Sequence, residues 1–301
     1  MQTHAKGPVA GWSWLMQAVN LGRHNPKAIF GAVALLALVA LIPSVVQLTL
    51  QYGLKLGPNA TMAVIAACTL VMVAIYPLLI GGVLRVIDAS EKGQPTQASA
   101  LFDTFRSGHG GGRLIGFGVA MFVIYLAVFI AVVGLFGQDF FNWYMELLTA
   151  STQSDPSAQA QAMRDIPDGF GTVMALGTLA SLFFGGIYAI GFGQVALGGR
   201  SVGGALADGL AGTLKNVLPI LLLAAIVFVA LLVFALALAL VAALLAAVGG
   251  MVHPMLGALL VAPIYLGALL VMYVVMFGVM YFMWRDVCGE PVPPSADHVA
   301  F

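Results

Sequence analysis

Six apolar runs, near 28–50, 60–84, 114–136, 172–197, 217–248 and 255–284, contain no charged residue. Each is at least as long as the roughly 20 helical residues that cross a hydrocarbon core of about 30 Å. In lipid, backbone N–H and C=O groups must be satisfied within a helix or by closing a barrel. The runs are continuously apolar rather than alternating, which excludes a β-barrel and predicts six transmembrane α-helices. The whole chain agrees: of 301 residues 61% are hydrophobic and 8% charged, against roughly 25% charged in soluble domains. The first run follows a basic stretch. It is too long for a signal-peptide core and ends in Leu41-Ile-Pro-Ser, so it reads as a retained helix.

Lysine and arginine orient the chain. Six crossings put both termini on one side, with Lys6, Arg23, Lys27, Arg85, Lys92, Arg106, Arg113, Arg200, Lys215 and Arg285. Only Lys55 and Arg164 lie opposite. Ten against two is a positive-inside asymmetry that predicts cytoplasmic termini. With 12 basic and 12 acidic residues the net charge is zero, and no global field attracts nucleic acid. Cys68 and Cys288 form no metal-ligand or disulfide pattern, and no cofactor or metal is expected. The fifth run is long for one crossing; Pro219 and Gly249-Gly250 suggest tilt or a break.

The spacing Tyr-x4-Gly recurs near the inner end of each even-numbered helix: Tyr76–Gly81, Tyr188–Gly193 and Tyr273–Gly278. The second and third continue to Arg200 and Arg285 at one offset, while Arg85 comes three residues early. A second echo relates Gly93–Asp103 to Gly198–Asp208. Each leads into a short amphipathic stretch. Ala98, Leu101, Phe102 and Phe105 make an apolar face opposite Ser99, Asp103 and Arg106. Near the N-terminus Trp12, Leu15, Met16 and Val19 do the same, opposite Ser13, Gln17, Asn20 and His24. The expected fold is all-α: three parallel repeats of an interfacial helix plus two transmembrane helices, around a pseudo-threefold axis. They form a single membrane domain over 1–284, with units near 11–93, 94–200 and 201–285 and a disordered cytoplasmic tail over 286–301.

The stretch 77–108, PLLIGGVLRVIDASEKGQPTQASALFDTFRSG, with Gly-Trp-Ser-Trp-Leu near the start and Asn25-Pro26, resembles a family of proteobacterial inner-membrane proteins. In layout it is similar to YciC-like proteins and to the membrane domain of some glycerophosphodiester phosphodiesterases. The resemblance implies a six-helix inner-membrane protein and brings no catalytic residues; the soluble phosphodiesterase domain has no counterpart here.

Two motifs raise a hydrolase reading: His109-Gly-Gly-Gly and Gly199-Arg-Ser201-Val-Gly203. The first matches an oxyanion loop and the second a nucleophile elbow. Neither follows a strand, and no acid–histidine pair is indicated by spacing, so no catalytic residue is assigned. The glycines of 107–113 read as a joint between an interfacial helix and the third membrane helix. An anion nest for lipid phosphate is the alternative. Arg106, His109, Arg113, Arg200 and Lys215 are the candidate headgroup contacts, and the Tyr and Gly residues of the repeat are packing positions. None of the runs carries a charge at mid-depth, which disfavours ion-coupled transport. Gln194 and the membrane tyrosines suit interhelical hydrogen bonds. In the loop 137–171, Phe140, Phe141, Tyr144, Leu147 and Leu148, with Trp143 nearby, predict a helix on the outer leaflet. Asp139, Glu146, Asp155, Asp165 and Asp168 make that loop acidic.

These features favour a non-enzymatic protein that binds or organises lipid or supports another membrane complex. Its partners are membrane lipids, and a homo-oligomer or other membrane proteins stay open. A passive transporter or pore is the alternative and a membrane serine hydrolase a remote one. A fluorescent protein fused to the C-terminus is expected to fluoresce and alkaline phosphatase there to be inactive, with the opposite result in the 137–171 loop. Active phosphatase at the C-terminus would invert the topology.

Overall fold

The structure is a computed structural model describing residues 2–53, 58–152, 166–251 and 253–289. The described residues form helices and no strand. Six stretches are long and apolar enough to cross a membrane: Pro26–Leu48, Ala63–Glu91, Gly111–Leu135, Phe170–Ala196, Val217–Gly250 and Met255–Cys288. The chain is an all-helical polytopic membrane protein. Lys55 and Arg164, Asp155 and Asp165, and the tail from residue 290 lie outside the described residues.

In chain order the elements begin with α1 (Ala10–Val19), α2 (Pro26–Ala40) and α3 (Ile42–Leu48), which ends in a π turn over Thr49–Gly53. Next come α4 (Pro58–Glu91), a 3-10 helix (Ala98–Phe105), α5 (Gly111–Phe136) and α6 (Gln138–Thr152). The chain closes with α7 (Phe170–Ala196), α8 (Val202–Lys215), α9 (Val217–Gly250) and α10 (Pro254–Cys288).

Helix starts follow local chemistry. Asn25 caps α2 by accepting from Ala28 N–H at 3.1 Å, with Pro26 as the first helical residue. His253 caps α10 in the same way, its Nδ1 accepting from Met255 N–H at 3.1 Å ahead of Pro254. The first apolar run is one span, Pro26–Leu48, in which α2 and α3 meet at Leu41 with helical backbone kept: Leu41 N–H donates to the Ala37 carbonyl at 3.1 Å and Val45 N–H to the Leu41 carbonyl at 3.0 Å. Pro43 lacks an N–H and its ring crowds the carbonyl four residues earlier. Pro77 and Pro263 interrupt neither α4 nor α10. Of the two alternatives for the fifth run, tilt or a break, the break is absent. Helix α9 is continuous for 34 residues, about 51 Å at 1.5 Å per residue; Pro219 sits in its first turn, where no intrahelical donor is needed. At the other end of α10, Asp286, Val287 and Cys288 continue the helix. They were expected in the tail.

Contacts divide the chain into two compact units. The first comprises Met1–Val119 and Gly186–Phe301. In it the short elements lie across membrane helices at glycines. A Cβ at Gly82 would meet the Leu101 carbonyl, with the Leu101 Cα only 2.8 Å away. A Cβ at Gly11 would meet the Pro219 carbonyl and lie 3.0 Å from Leu223 N. One at Gly209 would lie 2.8 Å from the Ile187 carbonyl. Backbone therefore touches backbone at all three crossings, which only glycine permits.

The short elements differ from the expected amphipathic faces. Over 98–105 the chain is a 3-10 helix, in which residues three apart eclipse. Leu101 and Thr104 consequently turn inward, and Phe102 and Phe105 turn outward. In α1 the buried face is Gly11, Trp14, Leu15 and Ala18, while Trp12, Met16 and Val19 are exposed.

The second unit, Ala120–Gly185, holds α6 and the adjoining parts of α5 and α7. Its core is Val133, Phe140 and Val173, flanked by Val132, Trp143 and Phe170. Helix α6 does form in the 137–171 loop, but its inward residues are Phe140 and Trp143, whose rings lie 5.9 and 5.6 Å from that of Phe170. Phe141 and Tyr144 are exposed, so the expected face of α6 is split; the side chain of Leu148 lies outside the described residues.

Gly82→Ala is expected to lower stability by about 1–3 kcal/mol through overpacking, read as a lower melting temperature in detergent. Gly112→Ala is the matched control, because its Cβ would meet nothing within 4 Å, and it is expected to be neutral. Equal effects of the two substitutions would contradict the crossing.

Candidate functional site

The first unit gathers its polar side chains where α4, α7 and α10 end. Those ends leave carbonyls without intrahelical donors, and cations are favoured there. Arg85 of α4 donates through Nε to the Ala196 carbonyl at the end of α7 (3.1 Å) and through Nη2 to the His109 carbonyl (2.7 Å). Arg113 donates to the Gly199 carbonyl. The two arginines thus tie the turn after α7 to the glycine-rich joint, where Gly108 and Gly110 have φ of 85° and 74°. Those left-handed values explain why the joint is glycine there.

A second cluster is built on Gln194, fully buried in α7. Its Nε2 donates to Asp208 Oδ2 at 2.7 Å, and its Oε1 accepts from Trp284 Nε1 at 3.3 Å. Arg200 closes on the same carboxylate, Nε to Oδ2 at 2.8 Å and Nη2 to Oδ1 at 3.3 Å. That hydrogen bond first, and the Asp208 charge second, hold the guanidinium above its ordinary pKa. Gln194, Asp208 and the Trp284 indole therefore satisfy one another out of water, and Arg200 closes the group from its exposed side.

A third cluster pins the N-terminal segment. Trp14 Nε1 donates to Asp286 Oδ2 at 3.0 Å, and Lys6 Nζ lies 2.7 Å from Asp286 Oδ1. Asn216 accepts from Lys6 N–H at 2.8 Å and donates to the His4 carbonyl at 3.0 Å. Lys215 Nζ donates to the Thr3 carbonyl and hydroxyl at 2.9 Å. Arg285 reaches Gln17 Oε1 at 2.7 Å, lies 3.7 Å from Glu91 and stands over the Phe282 ring at 4.6 Å. Tyr281 donates to Asp88 at 3.1 Å.

The candidate headgroup residues separate accordingly. Arg106 is largely exposed and, among the described residues, pairs only with Asp103 in its own turn, at 3.2 Å. The His109 side chain is exposed as well. Arg113, Arg200 and Lys215 instead spend donors on the protein, as described. Trp14, Asp286, Asn216 and Gln17 belong to these clusters and were not picked out as such from sequence. Their partners are more than 200 residues distant, a separation that carries no local signal.

The repeat positions sit at helix crossings within the first unit. A Cβ at Gly81 would lie 2.6 Å from Leu114, one at Gly193 2.6 Å from Trp284 Cβ, and one at Gly278 2.9 Å from Ala18 Cβ. Tyr76 and Tyr273 line one apolar cleft of about 630 Å³ with Leu41, Leu269 and Phe277; Tyr76 Oη also donates to the Ala40 carbonyl at 3.4 Å. Tyr188 packs on Phe192 with ring centroids 4.5 Å apart.

The hydrolase motifs have other employment. Ser201 Oγ caps α8, accepting from Gly204 N–H at 3.3 Å. His109 contributes its carbonyl to Arg85, and among the described residues no serine–histidine hydrogen bond is made. No group of three or more His, Cys, Asp or Glu among the described residues could hold a metal. The chain matches no family model, no curated protein and no solved structure.

Gln194→Leu would leave the Trp284 indole N–H unpaired and Asp208 one donor short, an expected loss of about 1–3 kcal/mol in detergent unfolding. Ser201→Ala is expected to cost about 1 kcal/mol as a lost cap and to change no fluorophosphonate labelling. Label that disappears with Ser201 would restore the hydrolase.

Proposed function

We propose that the protein is a non-enzymatic inner-membrane protein that binds and organises lipid on the side carrying its termini, which is the cytoplasmic side. One observation carries the reading. Each short element turns one face onto membrane helices and leaves a second apolar ridge exposed. The ridges are Val9, Trp12, Met16 and Val19 on α1, Phe102 and Phe105 on the 3-10 helix, and Leu210 and Leu214 on α8. Exposures of 57% for Val19, 45% for Phe105 and 58% for Leu214 would be a liability in water. At the boundary of headgroups and acyl chains they are stabilising, and tryptophan and phenylalanine suit that depth. Arg106, exposed next to Phe105, suits anionic headgroups.

The threefold repeat is part of the proposal. After each Tyr-x4-Gly segment an arginine ties a membrane helix to the neighbourhood of a short element: Arg85 to the His109 carbonyl, Arg200 to Asp208 and Arg285 to Gln17. The resemblance to proteobacterial inner-membrane proteins is carried forward on the same footing. Passive transport along the repeat axis is the weaker reading, because Leu114, Trp284 and Ala18 fill the space at the three repeat glycines.

Native mass spectrometry of the detergent-extracted protein is expected to show retained phospholipid, and vesicles containing the protein to show no solute flux. Combining Trp12→Ser, Phe102→Ser and Leu214→Ser is expected to reduce the retained lipid several-fold, about 1 kcal/mol or more. Solute flux with no retained lipid would overturn the reading in favour of transport.

A further inference from the structure

A cleft of about 540 Å³ opens between α4 and the 3-10 helix, lined by Arg85, Thr96, Gln97, Asp103 and His109 among others. Its charged lining residues are Arg85 and Asp103. Arg85 uses two of a guanidinium's five N–H groups on the Ala196 and His109 carbonyls, and five less two leaves three. Among the described residues no carboxylate lies within ion-pair distance of Arg85 or Arg113. The two guanidinia are electrostatic neighbours. Asp103, the carboxylate among the lining residues, is paired at 3.2 Å with Arg106, which does not line the cleft, and also attracts Arg85; Arg85 is the lining cation that makes no ion pair among the described residues.

The segment that echoes this one in sequence behaves differently. There Arg200 closes directly on Asp208. Arg85 comes three residues early in the pattern and turns to carbonyls instead, beside an open cleft. The 3-10 helix contributes Asp103 to the cleft and exposes Phe102 and Phe105, rings 6.0 Å apart.

We propose that this cleft binds a phosphate monoester, with Arg85 as its anchoring cation and His109 and Gln97 as further hydrogen-bonding groups. A guanidinium with free donors in a partly desolvated cleft is suited to bidentate phosphate recognition. The adjacent phenylalanine ridge makes a phospholipid headgroup the favoured source over a soluble phosphate ester. The assignment rests on the lipid-binding reading above and names the headgroup chemistry.

The test titrates the detergent-purified protein with phosphatidic acid, with diacylglycerol of the same chains and with glycerol 3-phosphate, in native mass spectrometry. Phosphatidic acid is expected to be retained about tenfold better than diacylglycerol. Arg85→Gln is expected to abolish that preference. Because Arg85 also holds two carbonyls, Asp103→Asn is the second variant: it removes a repelling charge from an exposed pair of little structural worth and is expected to tighten phosphatidic acid about threefold. Glycerol 3-phosphate failing to compete assigns the lipid as source; effective competition assigns a soluble ester to the same cleft. Unchanged or weaker binding in Asp103→Asn overturns the cleft. Equal retention of phosphatidic acid and diacylglycerol overturns it too, while leaving the lipid-binding reading standing. Retention of neither, with no glycerol 3-phosphate bound, overturns both.

Discussion

The Leu101 carbonyl occupies the place that a side chain at position 82 would fill. The same close approach brings α1 onto Pro219 at Gly11, and α8 onto Ile187 at Gly209. Lipid supplies no hydrophobic drive for helices to associate, so close backbone packing has to hold them together. A short element pressed this tightly onto a membrane helix has no freedom to roll. Its inward face is therefore set, and with it the ridge that faces outward. The Phe102 and Phe105 ridge, the approach of Asp103 to the Arg85 cleft and the position of the joint at 108–110 follow from the crossing at Gly82.

The polar clusters carry the second constraint. Gln194, Asp208 and Asn216 are buried, and an unpaired polar group in such surroundings costs more than its hydrogen bond returns. Each is closed by partners from a different element: Trp284 and Arg200 on one side, the N-terminal segment on the other. Arg85 and Arg113 are the exception, satisfied only by carbonyls. Carbonyls stabilise a cation without cancelling its charge, which leaves the field of this region available to an anion.

Much of the fold was legible in the sequence because its determinant is local. Charge-free length alone located the six spans, and α9 at Val217–Gly250 falls within two residues of the run 217–248. The caps at Asn25 and Ser201 are local too, but they were not read from the sequence, where Ser201 stood as a nucleophile-elbow position. What escaped depends on geometry that composition does not encode. The residues 98–105 were placed on a face of 3.6-residue period, whereas a period of three moves Phe102 and Phe105 outward. Trp14 escaped because α1 is apolar on two faces, and periodicity alone does not say which one meets protein. Of the candidate site, Arg106 and His109 were named; the role of Arg85 was not, since its carbonyl partners stand 111 and 24 residues away. In the fifth run Pro219 and Gly249-Gly250 suggested tilt or a break; a proline in the first turn and glycines in the last leave the interior intact, so the break is not made.

The central claim is that the three apolar ridges lie in lipid. Electron paramagnetic resonance on nitroxides placed singly at positions 16, 105 and 214, in reconstituted bilayers, measures it directly by comparing collision with oxygen and with a water-soluble nickel chelate. The account predicts oxygen-dominated collisions at all three positions, at headgroup to upper acyl depth, with nickel-dominated collisions at the polar control positions 13 and 94. Nickel-dominated collisions at the three ridge positions, matching the controls, would contradict it.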